Sequence, residues 1–512
     1  MSDHRAAVRP TDNTAPTKQH GTMAHTPLHP PASQPSKRLS WVPKLASLPL
    51  LLALQAAFSQ AIPLPPVAPE QAAPGLKVTP DKSYLIPAAE IIGFDFLLSN
   101  FNRQFSGSSD YDVSWRSIRR NLRGPWVIDN DPFKVNQFAH PYQGSLYHGA
   151  ARSAGLSYWE ASAYTFAGSA WWEITGEKTP PSRNDQVASG ISGSFLGEPL
   201  FRMAHLVLNG KGPISTYWRE IGAAAISPAL GFNRLMYGSR FDGAFDDHDP
   251  IYYSRLRVGA SHATHDDAGA SSAPKRNVGE IDYALDYGVP GQPGYTYDRP
   301  FDYFSFAASL SSANGVENLA TRGLLFGAPY SAGDNVRGLL GIYGSYDYVA
   351  PQLFDISTTA VSLGATAQWW LSERFALQGT GLAGLGYSAA STARRVAVDT
   401  DYHYGVAPRL SMALRLIGGD RASLDVSAQK YFLGRIANRS AGRDDISRVD
   451  TAFTWRVAGH HAIGVKYVWS HRSANYPTVG DRQQTLGTVG VYYTLLGADN
   501  FGAVDWRDGT VH

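Results

Sequence analysis

The sequence predicts an α+β protein, a small-residue-rich helical domain followed by an antiparallel transmembrane β-barrel of about twelve strands. Three observations lead there. From residue 250 to about residue 497 the chain repeats a unit of roughly ten residues in which apolar and polar side chains alternate, closed each time by a turn cluster. Tyrosines and tryptophans gather near the ends of these units. A secretory leader stands upstream.

Residues 446–457 show the pattern. Ser447, Val449, Thr451, Phe453, Trp455 and Val457 fall on one face, and Ile446, Arg448, Asp450, Ala452, Thr454 and Arg456 on the other. Strand side chains alternate with period two, so one face is largely apolar and the other wet. About twelve such strands begin after Asp249, with ten or fourteen left open because bacterial barrels favour even numbers. The clearest lipid faces are Val361 to Trp369, Leu410 to Leu416, Ile463 to Trp469 and Val489 to Leu495, each taken at alternate residues. Opposite them stand Arg255, Arg257, Asp282, Asp286, Arg409, Arg415, Asp425, Arg448, Asp450, Arg456 and Lys466. Each would cost about 2–4 kcal/mol at mid-bilayer if it faced lipid, and can instead pair across the lumen. A soluble β-sandwich alternates too. The leader, the long strands and the aromatic strand ends favour the barrel.

Composition narrows the function classes. The chain has no cysteine, which excludes disulfides, thiolate catalysis and a lipoprotein anchor. Lys+Arg 45 against Asp+Glu 43 gives no basic bias toward nucleic acid. No run of about 20 apolar residues suggests a membrane helix. Residues 1–61 read as a disordered leader ending in a signal peptide: Lys37-Arg38, an apolar stretch Leu45–Phe58 and a small-x-small site at Ser59-Gln60-Ala61. The long n-region leaves Met23 as an alternative start. Residues 62–81 form a proline-rich linker, 82–248 the helical domain, and 498–512 a C-terminal tail.

In the helical domain, Leu85–Phe105 has helical periodicity, Ser114–Arg123 is a short basic helix, and helices are expected near 145–175, 186–209 and 214–230. Ala151–Trp172 alternates small residues with large aromatics, which lets backbones approach closely. Between and beyond the first helices run Asp131-Pro132-Phe133, Asn136-Gln137-Phe138, His140-Pro141-Tyr142, Tyr147-His148, Ala151-Arg152-Ser153, Tyr158-Trp159-Glu160, Gly176-Glu177, Pro180-Pro181-Ser182, Asn184-Asp185 and Gly197-Glu198. In that order these motifs resemble the bacterial envelope family catalogued as domain of unknown function 3943, over about residues 95–235. The resemblance implies a helical segment joined to an outer-membrane-like β region. It implies no reaction, so architecture transfers and catalytic roles do not. Outer-membrane barrels usually end on an aromatic residue, whereas here about fifteen residues follow the last strand.

The candidate polar cluster is His140, Tyr142, Arg152, Glu160, Glu173, Glu177, Glu198, Arg202 and His205. Glu198, Arg202 and His205 share a helical face, either as a structural ion pair or as an acid–base stripe. Glu173 and Glu177 lie one turn apart, and a solvated helix end is the plainer reading against a divalent cation or a shared proton. Arg152, set among alanines, is expected to be buried and paired with Glu160, Glu173, Glu177 or Glu198. Asp246-Asp247-His248-Asp249 reads as a linker. His140 and His148 lack zinc spacing, and no H-E-x-x-H, P-loop, dinucleotide fingerprint or G-x-S-x-G is present. No cofactor and no metal is expected, and catalysis is left undecided.

The expected function is that of an outer-membrane β-barrel with its helices at the periplasmic mouth or plugging the lumen. Its role would be structural, in transport or in envelope maintenance. The alternative is an outer-membrane enzyme acting on lipid or lipid-linked glycan. Expected partners are outer-membrane lipids and the barrel assembly machinery, with no nucleic acid and a monomer favoured.

Overall fold

The computed structural model describes residues 81–129, 131–210, 212–245, 249–267, 274–391, 402–434, 442–476, 480–498 and 500–507. The expected signal peptide, nearly all of the proline-rich linker and Asp246 to His248 lie outside them.

The helical region runs α1 (Leu85–Phe105), α2 (Trp115–Asn121), α3 (His140–Ser153), α4 (Tyr158–Thr175), α5 (Arg183–Val187), α6 (Gly193–Asn209), α7 (Thr216–Ile226) and α8 (Pro228–Tyr237). The helix expected over 145–175 is split at Gly155, whose φ of +84° suits a residue without a Cβ. Ser157 then starts α4 with a capping box: its Oγ accepts from the Glu160 N–H at 3.4 Å, and Glu160 Oε2 accepts from the Ser157 N–H at 2.7 Å. Wider π-type turns at Val135–Ala139 and Ala188–Ser192 lead into α3 and α6. There the two helices cross so closely that a Cβ on Gly144 would stand 2.0 Å from the Ser189 carbonyl oxygen.

Twelve strands close into a barrel in which each pairs antiparallel with its sequence neighbours and β1 closes on β12. They are β1 (Tyr252–Asp267), β2 (Asn277–Tyr287), β3 (Phe304–Ser311), β4 (Gly315–Ala332), β5 (Val336–Val349), β6 (Ile356–Trp370), β7 (Phe375–Ser391), β8 (Tyr402–Gly418), β9 (Ala422–Leu433), β10 (Arg443–Ala458), β11 (His461–Tyr476) and β12 (Gly480–Leu496). The facing is as the alternation predicts. Leu363, Trp369, Leu410, Phe453, Trp455, Ile463 and Val491 stand exposed on the outer wall of β6 to β12. This apolar band is what a transmembrane barrel presents to lipid.

The inward charges span the lumen between strands that are not neighbours. Arg255 of β1 meets Asp425 of β9 at 2.9 Å, Arg415 of β8 meets Asp286 of β2 at 2.9 Å, and Lys466 of β11 meets Asp282 of β2 at 2.7 Å. Arg409 of β8 pairs with Asp347 of β5. A cavity of about 240 Å³ remains among them, lined in part by Arg257, Tyr303, Thr366 and Gln378. The C-terminal tail folds back into the same space at the end with the short turns. Gln368 and Trp370 donate to the Val504 carbonyl at 2.6 and 3.0 Å, Gln378 donates to that of Gly502 at 2.6 Å, and Phe501 is fully buried.

The described helices pack against the barrel. Their contacts run to outward-facing side chains. Phe195 of α6 lies where a Cβ on Gly344 would be, 2.6 Å from its ring, and Gly344 shares its face of β5 with Leu340, 62% exposed. The Thr321 hydroxyl donates to the Phe195 carbonyl at 2.9 Å, and Trp159 of α4 stacks on Phe326 at 5.3 Å. Leu256, Tyr283, Leu285, Phe304, Phe306 and Tyr346 form one buried cluster with Leu196, Phe201 and Leu206 of α6. The helices therefore cover much of the outer wall of β1 to β5 and reach Tyr402 and Tyr404 at one end of β8. They do so at the depth of the apolar band, because Gly344 is paired directly with the exposed Val361.

Replacing Gly344 by Leu should push Phe195 off the wall, at about 1–3 kcal/mol of overpacking, while leaving the lumen untouched. The expected outcome is a barrel that keeps heat-modifiable migration while its helical region becomes protease-sensitive. An unchanged cleavage pattern would count against docking on the outer wall.

Candidate functional site

Most of the candidate residues fall into two buried polar clusters of the helical region. The first is built on Glu198 of α6, which is fully buried. Its Oε2 accepts from Arg152 Nε at 2.7 Å and meets His148 Nε2 at 3.1 Å, and its Oε1 accepts from Arg202 Nε at 2.9 Å. Arg202 continues to Asp302 Oδ1 at 3.0 Å and to the Pro300 carbonyl at 2.8 Å, on the loop between β2 and β3. Of the four carboxylates open to Arg152, Glu198 is thus the partner. Gly197 makes the approach feasible, since a Cβ there would lie 2.7 Å from that of His148.

The electrostatics of this cluster are those of a closed ion network. Burial opposes the Glu198 charge, but Arg152 and Arg202 hold its carboxyl below the ordinary carboxylate range. The Arg152 guanidinium lies 4.7 Å above the Phe201 ring and 5.2 Å above that of Phe245. His205 shares the helical face of Glu198 but packs against Phe201 and Phe245, and burial, then Arg152, push its pKa down to about 3. Its ring therefore sits among aromatics. With both arginines answered by carboxylates, the cluster bolts α3 and α6 to the barrel.

The second cluster is of another kind. His140 at the start of α3, Glu173 near the end of α4 and Asp185 in α5 are all buried, and one donor atom of each lies within 4.8 Å of the others. The expectation of a solvated end for Glu173 and Glu177 is corrected here, because they are 2% and 6% exposed. The chain folds over that end: the Asn121 amide, at the end of α2, donates to the Thr179 and Glu177 carbonyls at 2.8 and 3.1 Å. Glu177 takes the Trp172 indole N–H at 3.0 Å and the Thr179 hydroxyl at 3.1 Å. Glu173 Oε2 takes the Ser182 N–H at 2.7 Å, while its Oε1 has no hydrogen-bond partner.

No lysine or arginine forms an ion pair with Glu173, Glu177 or Asp185 among the described residues. His140 Nε2 stands 3.7 Å from Asp185 Oδ2, and its Nδ1 lies 3.3 Å from the Ser189 hydroxyl. Burial pushes Glu173 and Asp185 well above the carboxylate range, raises Glu177 to about 7 with help from Asp131, and lowers His140 to about 4. Asn184 and Asn136 tie the cluster to the barrel wall, donating to the Tyr404 and Tyr402 hydroxyls at 2.9 and 2.8 Å.

The remaining candidates stand apart. Glu160 caps α4 and meets Lys82 at 3.1 Å near the surface. Tyr142 is 40% exposed. Sequence reasoning did not single out Asp185, Ser189, Asn136, Asn184 or Asp302 for a site. Asn184 and Asp185 carried two signals, their place among the family-like motifs and a Ser182 cap just upstream, whose Oγ accepts from the Asp185 N–H at 3.2 Å.

Residues 125–229 match the family described as Domain of unknown function (DUF3943). The resemblance read from the motifs is borne out, over a narrower span. No curated protein matches the chain. Among solved structures it is similar to the NanC porin at 9% identity, covering 46% of this chain and 98% of that one, with a TM-score of 0.24. It is also similar to the outer membrane channel DcaP of Acinetobacter baumannii at 10% identity, covering 48% and 97%, with a TM-score of 0.23. An outer membrane channel from Pseudomonas putida F1 matches at 12% identity, covering 48% and 95%, with a TM-score of 0.24. At these TM-scores nothing about solute or role passes to this chain.

Arg152→Ala should cost about 3–5 kcal/mol, because it leaves Glu198 buried with half of its cationic partners. Chemical unfolding in detergent measures it. A loss within about 0.5 kcal/mol, the ordinary surface value, would show that Glu198 is not buried as described.

A second prediction concerns pH. Asp95 of α1 is 1% exposed, and burial raises its pKa to about 7 against the hydrogen bonds of Tyr147 and Gln143. A carboxyl raised above its unfolded value of about 3.9 adds stability below that pH and loses it as pH climbs through 7. Asp95→Asn should therefore flatten the decline between about pH 4 and 7, by an amount on the order of a few kcal/mol. Parallel wild-type and variant stability curves would refute the assignment.

Proposed function

We propose that this is an outer-membrane protein in which a non-conducting barrel anchors a helical module against its own lipid-facing wall, in an envelope-maintenance role. The observation that carries the reading is the shared depth of the helices and the apolar band. On one side of the barrel much of the outer wall of β6 to β12 stands exposed, and on the other much of the wall of β1 to β5 is covered by helices, which also reach Tyr402 and Tyr404 of β8. A bilayer around the first must also meet the second. The module's outer surface suits that position, with Phe96, Leu97 and Phe101 on α1, Trp218 on α7 and Leu235 and Met236 on α8 exposed. None of the described helices is long and apolar enough to cross a membrane, so the helices would lie beside the barrel as a packed group.

The cross-lumen ion pairs and the inserted tail support an anchoring over a transporting barrel. In planar bilayers the wild-type protein is expected to show no steady conductance, while Arg415→Ala, which removes partners of both Asp286 and Asp425, should open ion flow. A stable wild-type channel would return the transport reading. For the envelope role, loss of the protein should raise detergent sensitivity of the cells, and Gly344→Leu should fail to restore resistance although the barrel assembles. Lipids of the outer membrane would then be the module's direct partners. The barrel assembly machinery would be a second partner, acting on the strands. The enzymatic alternative, acting on lipid or lipid-linked glycan, is favoured by one feature only, the convergence of His140, Glu173 and Asp185 in that module.

A further inference from the structure

We propose that His140, Glu173 and Asp185 form a binding site for one divalent transition-metal ion, with Zn²⁺ and Mn²⁺ as the chemical class. Four observations carry it. The three donors come from three different helices, yet their nearest ligand atoms lie within 4.8 Å of one another, and all three side chains are buried. Glu173 Oε1 is buried without a hydrogen-bond partner, although its sister oxygen is held by the Ser182 N–H at 2.7 Å. An unsatisfied carboxylate oxygen in such a place is costly unless something fills the space before it. His140 Nε2 and Asp185 Oδ2 are 3.7 Å apart, too long for a hydrogen bond. Two donors bound to one tetrahedral ion at about 2.0–2.1 Å stand roughly 3.3 Å apart, so a small contraction would seat the metal.

The fourth observation is the arrangement behind the ligands. His140 Nδ1 faces the Ser189 hydroxyl at 3.3 Å, which turns Nε2 toward the carboxylates, and Asp185 Oδ1 accepts from the Asn184 amide at 3.1 Å. Ligands to a metal are commonly oriented by such outer partners. One imidazole with two carboxylates suits Zn²⁺ or Mn²⁺ better than Ca²⁺, which prefers oxygen alone. Since the ligands join α3, α4 and α5, and Asn184 reaches the Tyr404 hydroxyl at 2.9 Å, the ion would fasten the helical module where it meets the barrel wall.

The test uses the full chain purified from outer membranes, stripped with chelator and reloaded with Mn²⁺ alone. About one equivalent per chain is expected after buffer exchange, with pulsed electron paramagnetic resonance showing one directly bonded nitrogen. Glu173→Gln with Asp185→Asn should release the ion while heat-modifiable migration persists, since the two amides fill the same space as the carboxyl groups that they replace. His140→Gln should erase the nitrogen coupling. Wild-type protein that is heat-modifiable yet retains less than about a tenth of an equivalent would overturn the site, leaving the cluster held by protons. So would binding that survives the double substitution, or bound Mn²⁺ without the nitrogen signal.

Discussion

A sheet closed on itself in a bilayer must sort its side chains into two solvents, and every other feature of this protein answers to that sorting. Period-two alternation sends Arg409, Arg415 and Lys466 inward, where carboxylates from distant strands meet them. It sends aliphatic side chains outward along β6 to β12. On β1 to β5 the outward positions are different in kind. Tyr283, Tyr287, Tyr346 and Tyr348 occupy them, and all four are buried under helices. A tyrosine offers a large apolar face and one hydroxyl, so it can line a wall and still hand a hydrogen bond to a docked backbone. Tyr346 does so, donating to the Gln137 carbonyl at 2.5 Å, and Tyr402 of β8 donates to that of Asp131 at 2.8 Å.

That difference decides what the sequence made legible. Strand facing and closure were readable because alternation is a local property that no distant contact alters. The helices were readable as elements, with Gly155 dividing one of them where a positive φ was needed. Their docking was not. Tyrosines near strand ends fit an interfacial girdle as well as a binding wall, and only the partner distinguishes the two. The tail was likewise opaque, because Phe501 and Val504 carry no periodicity, and their burial depends on Gln368 and Gln378 from strands far upstream.

The polar groups divide along the same line. Arg152 among alanines announced a buried charge in need of a carboxylate, and the structure supplies Glu198, but four carboxylates fitted the sequence equally. The choice among them came from the glycines. Gly144, Gly193 and Gly197 bring α3 within reach of α6, and with it His148 and Arg152 within reach of Glu198. Glu173 and Glu177 looked like a helix end in water, since nothing local says that α2 will close over them. His140 and Asp185 are brought together by the π-type turns that precede α3 and follow α5, a backbone feature with no compositional mark.

The two buried clusters therefore do different work in one interface. Replacing a network such as Glu198 with Arg152 and Arg202 by apolar side chains of equal volume is often neutral or stabilising, so stability alone is a weak reason for it. What such a network offers is register. A bidentate carboxylate between two guanidiniums tolerates little sliding, and through Asp302 it fixes α6 against the loop between β2 and β3. The apolar wall beneath adds fit, with Phe195 seated over Gly344 and Phe301 over Gly323, but no directed bond. At the other end of the helical module, among the described residues, the acidic cluster has no cationic side chain in an ion pair to play that part. Asn136 and Asn184 supply hydrogen bonds to Tyr402 and Tyr404, but hydrogen bonds to rotatable hydroxyls restrain angle weakly. A divalent ion between His140, Glu173 and Asp185 would give this end the rigidity that two arginines give the other. The module would then be pinned at two points against a wall that otherwise holds it by packing.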